Sequence, residues 1–80
     1  MTINEAVTAI EKVLASMRDV AASQVRPSGD DVDVIKVWVN LGESSNDPVA
    51  WAKTLEADLR KQVPGAAPYR LEVRAEMGVS

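Results

Sequence analysis

Residues 32–41 read Val32-Asp33-Val34-Ile35-Lys36-Val37-Trp38-Val39-Asn40-Leu41. β-Branched and aromatic side chains crowd this stretch, a composition that suits a pleated, half-buried surface. Its period is two: Ile35, Val37, Val39 and Leu41 share one face, and Lys36, Trp38 and Asn40 share the other. The spacing predicts a strand over 32–41 with one apolar side. Val32 and Val34 are out of phase with that side, which predicts a bulge or a change of covering near Val34.

Working backwards, Ser28-Gly29-Asp30-Asp31 is turn chemistry. The stretch from Val20 to Pro27 reads two ways. Val25 between Gln24 and Arg26 suits a short edge strand ended by Pro27, and a loop fits equally. Further back the period changes. Ile3, Val7, Ile10, Val13, Leu14 and Met17 recur at helical spacing with Ala6 beside them, and Asn4, Thr8, Glu11, Lys12 and Ala15 fall elsewhere. Thr2 and Glu5 have capping-box spacing, so the amphipathic helix spans about residues 3–19. Its polar side carries too few basic groups for a membrane-surface helix.

Working forwards, Gly42 to Asn46 is a loop. Asp47 is an N-cap, and Pro48 suits the first helical position, where its missing N–H would go unpaired anyway. Ala52, Leu55, Leu59 and Val63 mark the apolar face of a second helix, with Trp51 on its shoulder. Lys53, Glu56, Arg60 and Lys61 take the solvent side, and Glu56 and Arg60 stand in the favourable i,i+4 order. Pro64-Gly65 stops the helix. A last strand alternates Tyr69, Leu71, Val73, Ala75 and Met77 inward with Arg70, Glu72, Arg74 and Glu76 outward.

The connection from Leu41 to about Tyr69 holds a helix, so it is long enough to join parallel strands by a right-handed crossover. The turn at 28–31 joins the weak and strong strands as an antiparallel pair. The expected fold is one α+β domain over residues 1–80. Two helices pack on one face of a small three-stranded mixed sheet, in the order α-β-β-α-β. The expected core is Ile10, Leu14, Val37, Val39, Leu55, Leu59, Leu71 and Val73. This element order, over about residues 3–77, resembles that of ferredoxin-like or metallochaperone-like domains, including the C-terminal cytoplasmic domain of cation diffusion facilitators. The histidines that hold metal in such domains are absent, so no metal site carries over. The order is also similar to that of KH-type domains, but no Gly-x-x-Gly loop joins two helices and no basic groove is evident.

Composition narrows the chemistry. Of 80 residues, 46% are hydrophobic and 26% charged, as in globular proteins. There is no Cys and no His, which excludes disulfides, thiolate nucleophiles, imidazole bases and the commonest zinc ligands. No run approaches the ~20 apolar residues of a membrane helix. The N-terminus lacks the basic start and apolar stretch of a secretory signal, which predicts a cytoplasmic location. A net charge of −3, with no Phe, two Trp and one Tyr, argues against nucleic acid as a partner.

Asp30, Asp31 and Asp33 form the one acidic cluster, without the spacing or terminal glutamate of a calcium loop, and read as a solvated turn. Glu72 and Glu76 alternate with Arg70 and Arg74, which keeps them ionised rather than poised for acid–base work. Ser44-Ser45 has no base beside it, and helix capping explains the stretch. Gly42, Gly65 and Gly78 are isolated and make no phosphate loop. No catalytic residue, cofactor or metal site is expected, and the chain reads as a non-enzyme. Trp38 is the exception to this blandness. Its phase turns it away from the helices into a charged face, where Lys36, Arg70 and Arg74 are expected around it. Trp and Arg are favoured at interface hot spots. The expected function is a protein-interaction or regulatory module acting through the exposed sheet face or the edge of the last strand. Its partner is another protein or a second copy in a homodimer. The alternative is a small acidic inhibitor of the immunity, antitoxin or phage anti-defence kind, which blocks a larger protein.

Overall fold

A computed structural model describes residues 2–30, 32–42, 47–66 and 68–77 of the chain. Helix α1 (Ile3–Ala15) is followed by strands β1 (Ala22–Pro27) and β2 (Val34–Asn40), helix α2 (Pro48–Gln62), a 3-10 turn (Pro64–Ala66) and strand β3 (Arg70–Glu76). The three strands form one sheet in the order β1-β2-β3. β1 runs antiparallel to β2, with Ala22 opposite Asn40 and Pro27 opposite Ile35. β3 runs parallel to β2, with Val34 opposite Arg70 and Asn40 opposite Glu76. The fold is the α+β arrangement that the two periodicities predict.

β2 is central, and its apolar face is the floor of the core. Ile35, Val37, Val39 and Leu41 are each no more than 1% exposed. Ala6, Val7, Ile10 and Leu14 from α1 and Leu55 and Leu59 from α2 pack into the same cluster, with Val25, Val63, Ala66 and Leu71. α1 lies mainly against β1, and α2 against β3. Both helices therefore cover one side of the sheet.

The helix starts follow the sequence. Glu5 N–H donates to Thr2 Oγ1 (3.2 Å), and Thr2 N–H donates to Glu5 Oε1 (3.0 Å), closing the capping box. Ala50 N–H donates to Asp47 Oδ1 (3.1 Å), and Pro48 opens α2. Thr2 holds the Glu5 carboxyl below its ordinary pKa, first through its backbone N–H and then through its side chain. A depressed carboxyl pKa means that the ionised box stabilises the fold above the unfolded-chain value. That contribution disappears as pH falls through the lowered folded-state value. Separately, Thr2→Ala removes the N-cap hydroxyl and is expected to cost about 1 kcal/mol. Glu5→Gln should flatten the acid side of the stability profile. Urea unfolding followed across the acid range checks both, and an unchanged acid limb in Glu5→Gln would refute the assignment.

Two features depart from the sequence-based expectations, and two open readings are decided. α1 ends at Ala15, not near residue 19. The Ser16 and Met17 amides bond to the carbonyls of Val13 (3.2 Å) and Leu14 (3.1 Å), three residues back. The Ser16 hydroxyl also donates to the Val13 carbonyl (2.8 Å). This tightening lets the chain reverse into β1, where the Ala21 N–H reaches the Asn40 carbonyl (2.8 Å). Met17 still packs on the core from outside the helix.

Of the two readings of residues 20–27, the strand holds, over Ala22–Pro27. The phase break near Val34 is a change of covering, not a bulge, because both registers run unbroken along β2. Val32 precedes the strand and is 83% exposed, whereas Val34 is buried on the side away from the helices and outside the main core cluster. Finally, β3 ends at Glu76, so Met77 has no strand opposite it and is exposed instead of facing inward. Val73 and Ala75 are only half-buried. A strand at the rim of a sheet has a covering neighbour on one side alone.

Candidate functional site

Among the described residues, no helix or strand packs on the side of the sheet opposite the helices, although Val34 at one end of it is buried. Pairing arranges its residues in rows across the strands. One row is Gln24, Trp38 and Arg74; the next is Arg26, Lys36 and Glu72; a third is Ala22, Asn40 and Glu76. Alternation along each strand turns these side chains to one face. Trp38 is half-buried, while Gln24, Arg26, Lys36, Glu72 and Arg74 are exposed. With the flanks of Val37 and Val73, they line a shallow concavity of about 440 Å3.

Trp38 thus sits on the central strand, on the open face, as its phase predicts. Lys36 and Arg74 join it in the concavity. Arg70 does not. It pairs with Val34, four positions from Arg74, so it stands roughly 13 Å further along the strand. The expected cluster is corrected accordingly, because sharing a face is not the same as sharing a row. Arg74 gives the indole little cover: its side chain is 80% exposed, and its Nε lies 3.4 Å from Glu76 Oε1.

Gln24 and Arg26 belong to the site and were not expected there. They enter because residues 22–27 form a strand. The alternation Gln24-Val25-Arg26 was the available signal, since burial of Val25 turns its two neighbours onto the open face. Glu72 enters beside Lys36, its partner in register.

The face has an electrical character different from the chain as a whole. Of the nine basic residues, Arg26, Lys36, Arg70 and Arg74 lie on it. Of the described acidic residues, only Glu72 and Glu76 do. The described side chains of the face therefore carry +2 in a chain of −3. At one end, Asn40 Oδ1 accepts from the Gly42 N–H (2.7 Å). Gly42 has φ +60, a left-handed value open to glycine, so the chain can turn away sharply after β2.

Among the described residues, no group of three or more His, Cys, Asp or Glu gathers where it could hold a metal ion. Of the acidic turn, Asp30 N–H donates to Ser28 Oγ (3.3 Å), and the Asp33 carbonyl accepts from Arg70 N–H (2.7 Å); Asp31 lies outside the described residues. Ser44, Ser45 and Gly78 also lie outside them. No described helix is long and apolar enough to cross a membrane. No family model, curated protein or solved structure matches this chain.

Proposed function

We propose that the chain is a non-enzymatic protein-binding module. Its open sheet face takes an acidic surface of another protein, with an apolar group from that surface seated on Trp38. The observation that carries this reading is a half-buried tryptophan at the centre of an open, locally cationic face of an acidic chain. An indole removed from water by a partner supplies affinity. Arg26, Lys36 and Arg74 around it supply steering and register toward negative charge. Two copies meeting face to face would set +2 against +2, so like-charge repulsion selects a different protein as the occupant of this face. Glu72 and Glu76 interrupt the positive field, which disfavours a phosphate backbone. An inhibitor that blocks a larger protein would be one form of this module, the blocked protein being the acidic partner.

The test compares Trp38→Ser and the double variant Arg26→Glu/Lys36→Glu with the wild type in capture from extracts of the native host. All of these side chains lie outside the helix-covered core, so folding is expected to survive and is checked by thermal melting. The expected result is one protein with an acidic contact surface, retained by the wild type at low salt, weakened by added salt and lost from both variants. Retention by both folded variants overturns the proposal, and so does capture of nucleic acid in place of protein. Loss of stability in Trp38→Ser would make the residue an intramolecular packing element and remove the site.

A further inference from the structure

Among the described residues, β3 has one neighbour in the sheet, β2, and its other side is an edge. At its start, Arg70 N–H donates to the Asp33 carbonyl (2.7 Å); at its end, the Glu76 carbonyl accepts from Leu41 N–H (2.9 Å). Backbone groups alternate in direction along a strand. Arg70, Glu72, Arg74 and Glu76 therefore address β2, and Leu71, Val73 and Ala75 point their N–H and C=O groups outward. Exposed edges are commonly blunted by charged side chains, proline or a bulge. β3 has no proline, its register with β2 is unbroken, and its four charges alternate in sign, so an antiparallel copy can pair them.

We propose that this edge pairs with β3 of a second copy, antiparallel, about a two-fold axis through Val73. This goes beyond the reading of the open face, since it uses a different surface. The argument is charge complementarity in the register that pairs the whole strand and makes the most opposite-charge pairs. With Val73 opposite Val73, Arg70 meets Glu76 of the second copy, and Glu72 meets its Arg74. Symmetry repeats both pairs. Sliding the second strand by two residues either way sets Glu72 against Glu72 or Arg74 against Arg74, so those registers repel. A slide of one residue would set inward side chains against outward ones and put the helices of the two copies on opposite faces.

Hydrogen bonding selects the same register. The outward-pointing residues pair with one another: Val73 with Val73, and Leu71 with Ala75 of the second copy. The charged pairs then occupy the non-hydrogen-bonded positions, where side chains stand closest. Arg74 is largely exposed, and the ion pair it makes among the described residues, with Glu76 of its own strand, is itself exposed, so it can make this exchange. Beside the edge, Pro48, Val49 and Ala52 of α2 form the apolar part of a groove of about 360 Å3 with Val73 and Ala75, and Lys53, Glu56 and Arg74 complete its lining. Val49 is 67% exposed there. The two-fold sets the grooves of the two copies side by side and shields that apolar surface. It also joins the open faces into one continuous platform carrying Trp38 from each copy.

Sedimentation equilibrium of the full chain tests the pairing. The wild type is expected to dimerise below millimolar concentration. Arg74→Glu places like charges opposite each other twice per dimer and should weaken association about tenfold or more. The swap Glu72→Arg/Arg74→Glu restores opposite charges in the same register and should recover the dimer. Amide exchange gives a second readout that needs no variant: the Val73 and Leu71 amides should gain protection as chain concentration rises. A wild type that stays monomeric with fast exchange at Val73 overturns the pairing. So does a swap variant no tighter than Arg74→Glu. Trp38→Ser should leave the dimer intact, so failure of this proposal and failure of the face reading are distinguishable.

Discussion

Leu59→Ala is expected to destabilise the domain by about 2–5 kcal/mol, the range for deleting a fully buried leucine side chain. Leu59 is 0% exposed, on the face of α2 that meets the sheet. It belongs to a core cluster drawn from both helices and all three strands. A domain of 80 residues has a total stability of about 4–12 kcal/mol. The loss is therefore a large share of the whole and should lower the melting temperature by roughly 10–30 °C. Differential scanning calorimetry measures it directly. A variant melting with the wild type would mean that the faces of α2 are assigned wrongly.

Ala66→Leu is the second large effect, with the opposite cause. Ala66 closes the 3-10 turn after α2 and is 0% exposed. Its backbone is tied on both sides: its N–H donates to the Val63 carbonyl (2.9 Å), and its carbonyl accepts from Tyr69 N–H (2.9 Å). A larger side chain must either push into the core or break this turn, which sets the start of β3. Overpacking of this kind costs about 1–3 kcal/mol. Ala57→Leu makes the matched control, because Ala57 is exposed on α2 and leucine is a good helix former. Urea midpoints should separate the two variants clearly, and equal midpoints would refute the packing argument.

The contrast between Leu59 and Ala66 marks how far the sequence could be read. Leu59 stands at helical spacing from Leu55 and Val63, so its burial follows from pattern alone. An alanine after Pro64-Gly65 has no pattern, and nothing local separates it from Ala57. Its burial depends on where the end of α2 lies over the sheet. The candidate site divides in the same way. Trp38 and Lys36 were legible because β2 alternates strictly between Ile35 and Leu41. Gln24 and Arg26 were not, because β1 buries only Val25 and shows almost no apolar period of its own. Arg70 was placed with Arg74 because alternation gives the face of a residue and says nothing of its row. Rows come from register, and register is a relation between strands.

The sequence by itself determined the two helices, their caps, the central strand and the face on which Trp38 stands. Each of these is a local matter: a period of 3.6 or 2, a capping oxygen, a proline without an N–H. The tertiary structure decided the rest. β1 is a strand because β2 offers it an antiparallel partner. Val34 is buried although it faces away from the helices. Val73 and Ala75 are half-covered because their strand is at the rim. The concavity around Trp38 exists because three strands set their rows side by side. Hydrogen bonds between strands and coverage by distant elements join residues far apart in the chain, and no local pattern records them.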